Sequence, residues 1–104
     1  MLEELHIGSF EACLQTDFQV VRPDSAGFPL RLIEVTAHAM NARQENFSVL
    51  FHGPLERFLP QGMVGLRHET LGEFELFLVP VARDTDGFQY EAVFNRLIAT
   101  QKTG

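Results

Sequence analysis

The residues of this chain that could do chemistry are His6, His38, His52 and His68, the single Cys13, the hydroxyls of Ser9, Ser25 and Ser48, and carboxylates at Glu69, Glu73 and Glu75. A zinc site needs three or four ligands converging at a point, often with the one-turn spacing of H-E-x-x-H. No two of the histidines have that spacing. His68 and Glu69 are neighbours, so on a strand their side chains leave by opposite faces. The histidines therefore read as separate half-buried or surface groups, and no metal ligand is assigned. No G-x-S-x-G elbow or cysteine-enzyme signature surrounds the serines or Cys13. Cys13 reads as a small buried hydrophobe, and Ser48 as a polar residue facing out of a strand. Glu69 and Glu73 flank a solvated turn, where the shifted pKa values of an acid–base pair are hard to sustain. Asp84-Thr85-Asp86-Gly87 opens like a calcium loop, but its glycine comes too early and strands flank it, so it reads as a hairpin turn. Gly62, Gly65 and Gly72 make no phosphate loop, because no strand-to-helix transition follows them. The expectation is a protein that is not an enzyme, with no catalytic, cofactor-binding or metal residue.

Composition narrows the classes further. A chain of 104 residues is expected to form a single domain, 1–104, with one modest core. Ten Phe against one Tyr and no Trp favour a dry interior, since Phe brings apolar area with no polar group to satisfy. A formal net charge of -6, with arginines scattered singly, argues against nucleic acid and anionic membrane surfaces as partners. One cysteine excludes an internal disulfide and fits a reducing compartment. With Glu3 and Glu4 near the start, no basic signal-peptide opening, and no apolar run of spanning length, the expected location is cytoplasmic.

Elements that would hold such a core can be read from spacing. Ser9 is placed to cap a short helical turn, with Phe10 and Leu14 sharing a face. Asp17 to Arg22 alternates as a strand, Pro23 to Gly27 is a loop, and Leu30 to Ala39 is a second strand. In that strand Ile33, Val35 and Ala37 point one way and Glu34, Thr36 and His38 the other. A polar loop from Met40 to Asn46 precedes a third strand, Phe47 to His52, which Gly53-Pro54 ends. Leu55 to Gly62 is a connection holding one helical turn.

The stretch from Gly62 to Leu97 is the most constrained. It reads as a three-stranded meander with Val64, Leu66, Phe74, Leu76, Leu78, Tyr90, Ala92 and Phe94 on one face. A three-residue loop at Thr70-Leu71-Gly72 sets Arg67 opposite Glu75 and Leu66 opposite Leu76. A like loop at Thr85-Asp86-Gly87 pairs Asp84 with Phe88 and sets Leu78 against Phe94. The middle strand, Glu73 to Val81, is apolar on its other face too. That second face, through Phe77, Val79, Val81 and Val93, is expected either to be covered by the first three strands or to serve as an interaction surface.

The motifs F-S-V-L-F-H-G-P at Phe47 to Pro54, L-P-Q-G at Leu59 to Gly62, H-E-T-L-G at His68 to Gly72, E-L-F-L-V-P-V at Glu75 to Val81 and Y-E-A-V-F-N at Tyr90 to Asn95 resemble an uncharacterised family of short bacterial proteins, a domain of unknown function. The resemblance is close over the C-terminal half and looser before it. It implies no catalytic residues, and it implies an accessory role beside phage-tail-like or surface-assembly proteins.

The reading is therefore an all-β domain: a small antiparallel barrel or two-layer sandwich of about six strands with a C-terminal β-meander and a short N-terminal helix. Its expected function is a non-enzymatic protein-interaction or assembly module with an unidentified protein partner. The alternative is a small barrel that holds an apolar ligand among its phenylalanines. A closed barrel has no free edges and should be a monomer, whereas an open sheet would favour a two-fold dimer, so the chain is expected to be a monomer or a weak homodimer. If Leu76 lies in the core, Leu76→Ala should lower the unfolding free energy by about 2–5 kcal/mol in urea titration.

Overall fold

Alternating apolar and polar residues write six strands, and the strands close on themselves. The computed structural model describes residues 5–23 and 26–97. A short helix, α1 (Ile7–Glu11), precedes β1 (Asp17–Val21), β2 (Pro29–Met40), β3 (Gln44–Pro54), β4 (Gly62–His68), β5 (Gly72–Arg83) and β6 (Gly87–Leu97). The first three strands form one antiparallel meander and the last three a second. β1 also pairs with β4, and β3 with β6, which closes a barrel of order β1-β2-β3-β6-β5-β4. The expected face of the second meander is the barrel interior: Val64, Leu66, Phe74, Leu76, Leu78, Tyr90 and Ala92 are buried, with Phe94 packed against them. Phe18, Leu30, Leu32, Phe47, Val49 and Phe51 meet them from the first meander.

Both ends of the barrel are stoppered. At one, α1 inserts Phe10, whose ring lies 5.4 Å from Phe94, 6.0 Å from Phe47 and 6.3 Å from Phe74. At the other, the β3–β4 crossover buries Leu59, whose backbone N–H donates to the Tyr90 hydroxyl at 3.0 Å. Phe58 packs edge-on against Phe88 at 4.9 Å, and Arg57 lies 4.6 Å from the centre of the Phe28 ring while donating to the Ala26 carbonyl. Gly87 is needed for approach as much as for the turn. A Cβ there would run into the Gly53 carbonyl oxygen on β3.

Several expectations are corrected in detail. The hairpin between β4 and β5 pairs Arg67 with Glu73 and Leu66 with Phe74, two residues from the expected register. The shift is even, so the inner face is unchanged, and Arg67 bonds Glu73 at 2.8 Å instead of meeting Glu75. At the next hairpin Arg83, not Asp84, pairs with Phe88, because the Asp84 carboxylate accepts the N–H groups of Asp86 and Gly87 and closes the turn itself. A bulge at Val81 then shifts the register, so Leu78 falls level with Ala92 and not Phe94. In β2 a bulge at Ile33 changes the phase: Leu30 and Leu32 are buried, whereas Ile33 and Val35 are half-buried and Ala37 is exposed. The β2–β3 loop shrinks to Asn41-Ala42-Arg43, since the Asn41 side chain accepts from both Arg43 and Gln44 N–H. β3 continues through Gly53-Pro54, which still pair with Phe88 and Gly87. In α1 the N-cap is His6, whose N–H donates to Ser9 Oγ, and Cys13 rather than Leu14 is buried.

Of the two alternatives for the second face of β5, coverage by the first three strands is the one the structure does not show. The first meander lies across the barrel axis, not outside β5, so nothing among the described residues layers over that face. Phe77 is 48% and Val81 50% exposed. A single closed wall has one interior, and the outer apolar residues are left facing solvent.

Removing the Tyr90 hydroxyl strands a buried Leu59 N–H. Tyr90→Phe should therefore lose about 1–3 kcal/mol of stability, read as a lower denaturation midpoint with an unchanged m-value.

Candidate functional site

The outer wall gathers the residues expected to form an interaction surface. Phe77 lies directly across from Met63 on β4, and these two are 48% and 60% exposed. Val79 is half-buried opposite Glu91. Hydrogen-bonded pairing of β5 with β6 runs only from Val79↔Glu91 to Arg83↔Phe88. Carrying that register two residues further along each strand sets Phe77 level with Val93, which is 57% exposed. Val81 joins the surface by a different route, as the residue displaced by the bulge. Met63 was not singled out from sequence, although the alternation that turns Val64 inward turns Met63 outward.

Polar groups with chemical potential are held in place by the fold. His68 is buried at the end of β4, and its Nδ1 accepts the N–H groups of Thr70 and Leu71 at 3.0 and 3.3 Å. That leaves the hydrogen on Nε2, which donates to Thr16 Oγ1 at 2.9 Å, while the Thr16 hydroxyl donates to the Cys13 carbonyl at 2.6 Å. Cys13 Sγ is 4.0 Å from His68 Nδ1. With that nitrogen already accepting two backbone N–H groups, it has no lone pair to spare as a base for the thiol. Burial pushes the Cys13 thiol up, away from the thiolate that a nucleophile needs. His38 bonds Ser48 Oγ at 2.9 Å and His52 bonds Asp84 at 3.2 Å. The Asp86 N–H, followed by His52, holds the Asp84 carboxyl below its ordinary value. Among the described residues no cluster of three or more His, Cys, Asp or Glu is arranged to hold a metal ion.

Among the described residues Glu45 is the one buried carboxylate, directly opposite Arg96 on β6. Its oxygens accept from the Ile7 N–H at 3.2 Å, His6 Nδ1 at 3.3 Å and Arg96 Nε at 3.2 Å. Burial pushes its carboxyl up, but the Ile7 N–H, His6 and Arg96 together outweigh that and leave it below the ordinary value. It ties the start of α1 to the barrel. No helix of the described residues is long and apolar enough to cross a membrane.

Fold and surface together define a small closed six-stranded antiparallel barrel with a filled axis and an apolar outer wall. Within that class the chain belongs to a particular family, described as Domain of unknown function (DUF6916), whose family model matches residues 5–94, from the lead-in to α1 through Phe94 on β6. No curated protein and no solved structure matches the chain.

Glu45 gives stability a defined pH dependence. Its folded carboxyl titrates below the ordinary 4.5, so its contribution is complete above that value and is lost as pH falls through the folded one. Glu45→Gln should cost about 1.5–3 kcal/mol at neutral pH. The gap between variant and parent should narrow in acid, as read by urea denaturation across a pH series.

Proposed function

We propose that this barrel is a non-enzymatic interaction or assembly module that binds a protein partner through the outer wall of β4, β5 and β6. The observation that carries the reading is the exposure of Met63, Phe77, Val81 and Val93 (60%, 48%, 50% and 57%) on neighbouring strands. Apolar side chains gathered on one face of a water-facing wall gain free energy when another surface removes them from water. The rival reading, an apolar ligand held inside the barrel, needs an open chamber. Here Phe10, Phe18, Phe47, Phe51 and Tyr90 are fully buried on the axis, and the Phe47 and Phe94 rings stack at 4.6 Å, an arrangement that supports partner binding instead. The net charge of -6 adds support for a protein over a nucleic acid as the partner. The motif resemblance adds the setting: an accessory to a bacterial phage-tail-like or surface assembly, working from the cytoplasm.

Val81→Asp and Val93→Asp place charge on the wall without touching the core, so each should change stability by no more than about 0.5 kcal/mol. Affinity capture from native cells with quantitative mass spectrometry should recover a stoichiometric protein with the parent chain and lose it with the double variant. Retention of every partner by a folded double variant would rule out this wall.

A further inference from the structure

The outer face also holds a trough that shares only Met63 with the apolar wall. With a volume of about 700 Å³ it runs over β1, β4 and β5, and Val21, Arg22, Met63, Gly65, Glu73 and Glu75 are among its lining residues. Its centre is bare. Val21, Gly65 and Glu75 are cross-strand neighbours in one row, so the middle position of the row has no side chain. Nothing in the fold requires glycine there. Gly65 has no positive φ, and a Cβ would make ordinary contacts of 3.5 and 3.7 Å with Val21. Glycine inside a strand weakens it, and where the backbone does not demand it, it marks a place where another backbone or ligand comes close.

The rims of the trough carry unmatched charges. Glu73 is neutralised within the chain by Arg67 at 2.8 Å. The side chains of Arg22 and Glu75 make no hydrogen bond or ion pair with any described residue. They stand on opposite flanks of β4, two strand spacings or about 10 Å apart, and do not pair with each other. A two-fold axis along β4 exchanges the two flanks. It sets Gly65 against its own copy, Met63 against Met63, and each Val21 level with the Glu75 of the other chain, so that Arg22, the next residue along, comes within side-chain reach of that carboxylate.

We infer that this trough is the contact surface of a weak two-fold homodimer, in which a second copy of this chain is the occupant. The inference rests on the protein-binding reading above and names one partner and its surface. The patch is isologous: a cation on one flank, an anion on the other and a bare centre are self-complementary under a two-fold and under no translation. Two rim ion pairs and two exposed methionines give modest, salt-sensitive affinity. Gly65 lets the two backbones approach, and Phe77, next to Met63, brings the edge of the apolar wall into the contact.

Sedimentation equilibrium of the full chain, over a concentration series reaching millimolar, tests this directly. A reversible monomer–dimer equilibrium that weakens with salt is expected. Arg22→Glu and Glu75→Arg should each weaken the dimer by about tenfold or more, and the double reversal should restore it to within about threefold of the parent. Gly65→Val should abolish the dimer while the thermal midpoint holds or rises, since valine suits a strand and the site has room for its Cβ. Circular dichroism confirms that each variant is folded. A monomer throughout the series, a dimer indifferent to the single reversals, or a double reversal that fails to restore it overturns the inference. Capture of another protein through Val81 and Val93 that persists in Arg22→Glu would leave the interaction-module reading standing without the dimer.

Discussion

The barrel depends on the ladder between β3 and β6. Each of the 11 residues of β3 has a partner on β6, from Gln44↔Leu97 to Pro54↔Gly87, with no bulge along its length. Each meander ends in this ladder, so it is the seam that turns two three-stranded sheets into one closed wall. Its inward pairs, Phe47 with Phe94, Val49 with Ala92 and Phe51 with Tyr90, run down the axis as the thickest part of the core. Both stoppers hang from it as well. Phe10 seats on Phe47 and Phe94, and the Glu45–Arg96 pair, itself a rung of the ladder, holds the backbone of Ile7. At the far end Tyr90 holds Leu59. Sheet closure, helix docking and crossover docking are thus three uses of one set of rungs, and a perturbation of this seam reaches both ends of the molecule.

The period of the side chains was easier to read than the register. Period-two alternation assigned the inner face of the second meander correctly, because a strand residue can only face in or out and the apolar set was consistent across three strands. Register is decided by turn geometry, and here side chains override the simplest turn. Asp84 and Asn41 each accept two backbone N–H groups and tighten their hairpins. The bulges at Ile33, His38 and Val81 carry no residue-type signature, so the phase change they introduce was invisible. The candidate surface shows both sides of this. Phe77 and Val93 follow from alternation, Val81 arrives through a bulge, and Met63 needed the register of its partner strand to be seen beside Phe77.

The buried polar groups were legible as residues and not as partners. His68 and Cys13 stood in the sequence as isolated candidates, and their roles come from contacts 52 to 55 positions apart. A hydrogen-bond relay from the Thr70 and Leu71 N–H groups through His68 and Thr16 to the Cys13 carbonyl spends every donor and acceptor of that imidazole on holding loops. Glu45 looked like part of a polar loop until closure set Arg96 opposite it. A buried carboxylate is tolerated only where donors converge on it, and those three donors come from two widely separated parts of the chain, the start of α1 and β6.

The two seams of the barrel are unequal, and the inequality bears on where a partner would act. Against the long β3–β6 ladder, β1 and β4 share only the pairs Gln19↔Arg67, Val20↔Leu66 and Val21↔Gly65. The His68–Thr16 bond and the Phe18 ring 4.4 Å from His68 brace one end of that short seam. Its other end, where the chain leaves β1 at Arg22 and Pro23, opens into the trough. Regions with few rungs are those that open at least free-energy cost. A glycine in the last pair of the weaker seam, at its open end, is a poor choice for a strand that must stand alone. It becomes a reasonable one if a second backbone lies across it, because ion pairs from each Arg22 to the facing Glu75 would link β1 of one copy to β5 of the other and span the short ladder. On this argument the strong seam makes the barrel and leaves the weak one free to be completed from outside.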